Sequence, residues 1–218
     1  MKVLVIGATG GSGRAAVDEL LRRGHEVTAF ARTADRLGPA ERLHTINGDA
    51  TDPGTVDAAV PGHDAVIVTL GISENALKVR LFGSAGTPMR VRSTGTRHVI
   101  EAMRRHGVRR LVVQTSYGVG PTRHRLPRLQ RIVFRLLLHP QIMDTERQDA
   151  DVRASGLDWV IVQPVNLTNE PAPGRPFASE QGEVRAMTVA RTRVGRFLAD
   201  AAEGDDHIGR TVALSAAV

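Results

Sequence analysis

The chain has 218 residues, 41% of them hydrophobic, enough to bury one sizeable core in a single domain over 1–218. Cysteine is absent, which excludes disulfides, thiolate metal ligation and a cysteine nucleophile. The eight histidines (25, 44, 63, 98, 106, 124, 139 and 207) nowhere take the close helical spacing of a zinc site, so no metal is expected. A net charge of +6 raises nucleic acid as a partner, but 27 of the 29 basic residues are arginines spread along the chain and aromatics are only 3%. The charge is therefore read as solvated faces, with no nucleic-acid partner.

Lys2–Ile6 opens the chain as a short apolar run, the first expected strand. Neither it nor any later stretch approaches the ~20 apolar residues of a membrane span, and a soluble, cytoplasmic protein is expected. Gly7-Ala8-Thr9-Gly10-Gly11-Ser12-Gly13 follows directly, with glycine at its first, fourth and seventh places. It leads into an amphipathic helix expected over 12–23 and stopped by Gly24. In that order, strand, turn and helix let backbone approach a pyrophosphate, and the helix N-terminus offers free N–H groups and partial positive charge. Gly7, Thr9, Gly10, Gly11, Ser12 and Gly13 are thus candidate cofactor residues.

The second strand, Glu26–Ala31, ends in Arg32. An acidic residue ~20 positions after the glycines would bond the ribose 2′-hydroxyl of NAD. A guanidinium there instead clamps a 2′-phosphate and stacks on adenine, with Arg36 one helical turn on to join it. NADP(H) is read in preference to NAD(H); the competing reading leaves Arg32 on the surface and gives the ribose to Asp35. Strand Leu43–Asn47 runs into Gly48-Asp49-Ala50, where Asp49 either accepts from the adenine amino group or caps a helix at Pro53. A strand over 64–70 brings Thr69-Leu70-Gly71 under the pyrophosphate and nicotinamide ribose.

A helix capped by Thr87, with Pro88 at its first position, is expected to reach about His106 before Gly107. The strand over 109–115 ends in Thr115-Ser116-Tyr117. In the basic segment 123–138, Arg128, Arg131 and Arg135 share one helical face opposite Leu129, Ile132, Val133, Leu136 and Leu137. It is read as a helix docked on the core, a lid over an acidic substrate, or a subunit interface; a membrane-surface helix fits less well, since the segment is short and lacks Trp anchors. A helix over 141–154, a strand over 158–163, a loop through 171–176, a helix over 189–202 and an edge strand at 211–214 complete the chain. The alternation predicts an α/β, Rossmann-type doubly wound parallel sheet, with a small substrate lid from 71–86, 117–140 and 165–187.

This pattern resembles the atypical short-chain dehydrogenase/reductase group, nearest to the biliverdin-IXβ/flavin reductases, with the NmrA-like redox sensors as further relatives. The resemblance rests on Gly7-Ala8-Thr9-Gly10 with Gly13, Ala31-Arg32, Asp35-Arg36-Leu37, Gly48-Asp49, Gly62-His63-Asp64-Ala65-Val66-Ile67-Val68, Thr115-Ser116, Ser155-Gly156-Leu157-Asp158-Trp159 and Gln163-Pro164. It implies that Ser116, with Thr115, lies beside the nicotinamide and that Pro164-Val165-Asn166 holds the carboxamide. The flavin and biliverdin reductases carry a histidine where this chain has Asn166.

Short-chain dehydrogenases donate a proton through a Tyr-x-x-x-Lys helix, the lysine lowering the tyrosine pKa. Here the sole tyrosine, Tyr117, is followed four residues later by Pro121, and the only lysines are Lys2 and Lys78. Hydride transfer to a flavin, quinone or linear tetrapyrrole leaves a delocalised anion that solvent can protonate, so orientation carries most of the rate. The expected function is an NADPH-dependent reductase of such a small-molecule acceptor, Ser116 assisting by a hydrogen bond. The alternative is a non-catalytic NADP(H)-binding redox sensor. The oligomeric state is not legible.

Overall fold

A computed structural model describes residues 1–71, 88, 90–125 and 139–217. The candidate lid stretches 72–87 and 126–138, with Thr87 and most of the basic segment, lie outside the described residues. Among the described residues eight strands form one sheet: β1 (Lys2–Ile6), β2 (Glu26–Ala31), β3 (Leu43–Asn47), β4 (Ala65–Val68), β5 (Arg110–Gln114), β6 (Asp158–Pro164), β8 (Phe177–Ser179) and β10 (Arg210–Ser215). Their order is β3-β2-β1-β4-β5-β6-β10-β8, and every pairing but β10 with β8 is parallel. Two further strands, β7 (Asn166–Thr168) and β9 (Thr188–Ala190), pair apart from the sheet.

Successive side chains on a strand face opposite sides, and the two cores divide accordingly. Val3 and Val5 of β1 enter one cluster with α1 (Gly11–Arg22) and α5 (Arg191–Glu203). Leu4 and Ile6 enter the other with α2 (Pro53–Ala59) and α3 (Val91–His106), and Val152 of α4 (His139–Arg153) joins them there. Strands covered on both faces must be apolar at consecutive positions, which is why β4 reads Ala-Val-Ile-Val and is buried throughout. On the first face α1 and α5 pack closely: a Cβ on Gly195 would stand 2.5 Å from the Ala15 carbonyl oxygen. Arg23 closes the far end of that contact, pairing with Glu19 at 2.8 Å, Asp200 at 2.8 Å and Glu203 at 2.9 Å.

Four expectations are corrected. Helix α3 begins at Val91, so Pro88 precedes the helix. Its first turn is satisfied from another element: Asp144 of α4 accepts from Arg92 N at 3.1 Å, Ser93 N at 3.3 Å and Ser93 Oγ at 2.5 Å. The strand read at 211–214 is interior, because the three-residue β8 pairs antiparallel outside it and is itself the edge. The last helix starts at Arg191, since Val189 and Ala190 are drawn into pairing with Leu167 and Thr168. The loop through 165–187 consequently contains β7 and β8.

Candidate functional site

The chain winds outward from β1 in both directions, so the crevice at the C-terminal ends of β1 and β4 is the switch point of the sheet. A cleft of about 500 Å³ opens there. Gly7 turns the chain at φ +84°, its N–H donating to Phe30 O at 2.9 Å and its carbonyl accepting from Gly10 N at 3.0 Å. A Cβ on Gly13 would collide with the Gly7 carbonyl and come within 2.7 Å of Thr69 Oγ1, so only glycine lets α1 start this close to β1 and β4. The N-cap, Gly10, supplies no side-chain bond, and the first turn has no acidic residue. The helix end is left ready for an anion.

Gly7, Thr9, Gly10 and Gly11 line one part of this cleft, Thr69, Leu70 and Gly71 another, and Arg32, Arg36, Asp49 and Ala50 close the end at β2 and β3. Ser12 and Gly13 do not line it; they are buried behind it. Asp35 is exposed outside the cleft, with its backbone N–H on Asn47 Oδ1 at 3.1 Å. Asp49 does not cap α2; Asp52 does, accepting from Gly54 N at 2.9 Å. Asp49 Oδ1 instead accepts from both Thr51 N and Thr51 Oγ1 at 2.8 Å. Those bonds, with Arg32 nearby, hold its carboxyl below the ordinary range.

Thr115, Ser116, Pro164, Val165 and Asn166 sit at the ends of β5 and β6, on the same sheet edge but outside the described cleft. Thr115, Pro164 and Val165 are buried, Ser116 is half-buried and Asn166 exposed. Among the described residues no bond engages the Ser116 hydroxyl. Tyr117 is buried, donates to Gly182 O at 3.0 Å, and has its pKa raised by desolvation. It is tied into the core rather than offered to a ligand.

Beneath this edge lies a buried polar network. Thr122 Oγ1 donates to Gln163 Oε1 at 2.7 Å and accepts from Gly118 N at 2.8 Å. Gln163 Nε2 donates to Val119 O at 3.1 Å and Asp149 Oδ2 at 3.3 Å. Burial pushes Asp149 up to about 6. The Thr115 hydroxyl lies near enough to ease its charge, but Thr115 Oγ1 and Asp149 Oδ1 fall short of hydrogen-bond geometry.

One residue escaped the sequence reading. Arg191, at the start of α5, lays its side chain over the N-terminus of α1, where a Cβ on Gly11 would stand 2.6 Å from its Cδ. It donates through Nε to Asn169 Oδ1 at 2.9 Å and through Nη1 to Ser12 Oγ at 3.4 Å. No local pattern marks an arginine 179 residues from its partner.

Comparison with known proteins agrees with this fold. An uncharacterised chloroplastic protein of Arabidopsis thaliana is 26% identical over 206 residues, covering 92% of this chain and 71% of that protein. The 2-alkyl-3-oxoalkanoate reductase of Stenotrophomonas maltophilia is 37% identical over 119 residues, covering 55% of this chain; the match spans only 34% of the reductase. Among solved structures, a short-chain dehydrogenase/reductase from Veillonella parvula in complex with NADP superposes with a TM-score of 0.80 at 18% identity, covering 98% and 94% of the two chains. ChuY, an anaerobilin reductase from Escherichia coli O157:H7, superposes at 0.77 with 22% identity, covering 98% and 96%. The NAD(P)H-binding family matches residues 7–205, and the chain belongs to that family.

Proposed function

We propose that the chain is an NADPH-dependent reductase passing hydride to a flavin, quinone or similar conjugated small molecule. Bound NADPH would supply the hydride. Gly7 to Gly13 and the N-terminus of α1 would hold the pyrophosphate under Arg191, while Arg32 and Arg36 would take the 2′-phosphate. Asp49, beside Ala50, would accept from the adenine amino group, with Thr69, Leu70 and Gly71 as the floor. Thr115, Ser116, Pro164, Val165 and Asn166 would border the nicotinamide. The cleft wall supports the choice of NADPH, since both arginines line it and Asp35 does not.

The acceptor class rests on one observation. The sole tyrosine is buried and bonded to Gly182 O, so the sheet edge beside the cleft offers a serine hydroxyl but no phenol. An acceptor whose reduced anion solvent can protonate suits such a site. The reductase names of the Stenotrophomonas relative and of ChuY support the same direction. Among the described residues no helix is long and apolar enough to cross a membrane, and this reading places the protein in the cytoplasm. The test is NADPH oxidation with a panel of flavins and quinones. Turnover supports the reductase; tight NADPH binding without turnover of any acceptor supports a redox-sensing role and overturns this reading.

A further inference from the structure

Arg191 is carried to its place over α1 by a small ribbon. β7 and β9 pair parallel outside the main sheet, with Thr168 beside Ala190, so the next residues along the two strands are Asn169 and Arg191. The ribbon is firmly seated: Val189 and Ala190 are buried, Val165 N donates to Leu214 O at 3.0 Å, and Ala216 N donates to Thr188 O at 2.8 Å. Beyond Asn169 the chain is stitched along α5. Thr192 Oγ1 accepts from Ala172 N at 3.1 Å, and Arg193 Nε donates to Pro173 O at 3.0 Å. Arg196 Nη1 donates to Ala172 O at 2.8 Å and to Gly174 O at 2.7 Å. Asn169 is therefore an exposed side chain on a backbone held from both sides.

A free arginine side chain samples many rotamers, and a ligand that needs one of them must supply the ordering. Asn169 does that ordering in advance. Its Oδ1 accepts from Arg191 Nε at 2.9 Å, while Ser12 Oγ accepts from Nη1 at 3.4 Å, and neither bond uses Nη2. Both oxygens belong to neutral groups, so they aim the guanidinium over Gly11 and the N-terminus of α1 without cancelling its charge. Arg23, at the other end of the same α1–α5 contact, meets three carboxylates and is committed to the fold. We infer that Asn169 is a positioning residue for the cofactor's pyrophosphate, holding Arg191 over it through an amide oxygen that carries no charge. This rests on the dinucleotide reading of the cleft, and not on which molecule receives the hydride.

The experiment titrates NADP⁺ and 2′-AMP by calorimetry, so that no turnover is involved; 2′-AMP carries the adenine and the 2′-phosphate but no pyrophosphate. Asn169→Asp keeps the shape and the hydrogen bond and adds a charge that pairs with Arg191 and faces the phosphates. It should bind NADP⁺ about tenfold more weakly than the wild type, with 2′-AMP affinity unchanged. Its Tm should be unchanged or higher, because a charged partner strengthens the bond to Arg191. A purely structural role for Asn169 predicts the opposite for the cofactor, undiminished or tighter binding. Asn169→Ala should weaken NADP⁺ about threefold in the wild-type background and not at all in Arg191→Met, since it acts through Arg191. Undiminished NADP⁺ affinity in Asn169→Asp, equal loss of both ligands, or additive losses for Asn169→Ala and Arg191→Met would each overturn the assignment while leaving the cofactor site standing. A wild type that binds neither ligand would remove the dinucleotide site itself, and this role with it.

Discussion

The two ends of the site are built in different ways. At β1–α1–β2 the proposed ligand surface is continuous chain: a strand, a turn of glycines, a helix end, and an arginine at the end of the neighbouring strand. At β5–β6 the edge is braced from afar, Gln163 meeting Thr122 and Asp149, and Tyr117 meeting Gly182. The first end presents backbone, which any member of a family can keep while its side chains drift. The second presents side chains held by buried polar partners, and its chemistry depends on what those partners allow. Affinity for the cofactor should therefore reside in the first end, and pH response and turnover in the second.

The sharpest break would come from Gly13→Val. Its side chain must displace the Gly7 carbonyl and Thr69, so NADPH binding should fall beyond detection by calorimetry, with a lowered Tm. Full retention of affinity would move the phosphate seat away from this turn.

Next in size is Asp149→Asn. Burial pushes the folded Asp149 carboxyl up to about 6, above its ordinary 3.8, so the folded state holds the proton more firmly. The associated stability is fully present below pH 3.8 and is lost as pH rises through about 6, on the order of a few kcal/mol. Denaturant melts across pH 3.5–7.5 should show that decline in the wild type and not in the asparagine variant. Parallel curves would mean that Asp149 is not the group responsible.

Arg32→Ala should weaken NADPH by about 1.5–3 kcal/mol and barely affect NADH. Arg191→Met, by contrast, should weaken both cofactors alike, because the pyrophosphate is common to them. Equal losses for both cofactors on changing Arg32 would overturn its pairing with the 2′-phosphate.

The smallest effects belong to the far edge. Ser116→Ala should cost about 0.5–1.5 kcal/mol in activation energy, up to roughly tenfold in rate, and Tyr117→Phe should keep most activity. Single-turnover NADPH oxidation measures both. A drop of ~10³-fold for Tyr117→Phe would reveal an essential acid and erase the contrast between the ends.

The same contrast explains what the sequence disclosed. The first end was legible because its signal is local: Ile6, Gly7, Gly10, Gly13 and Arg32 declare themselves within one βαβ unit. The start of α3 was not, since the group that satisfies its first turn comes from Asp144, on another helix. The edge strand was misplaced because Phe177-Ala178-Ser179 is too short to carry a periodic signal yet suffices to cover β10. Arg191 had no signal, its role arising only when α5 crosses α1.

That crossing carries a lesson for protein engineering. Ala15 and Gly195 touch backbone to backbone, and Gly195 lies one turn beyond Arg191 on the same helix. Enlarging either residue would push α5 outward and lift Arg191 from Ser12. A library built to alter cofactor preference should thus freeze positions 15 and 195, and a laboratory lineage that changes one would be expected to recover affinity by changing the other.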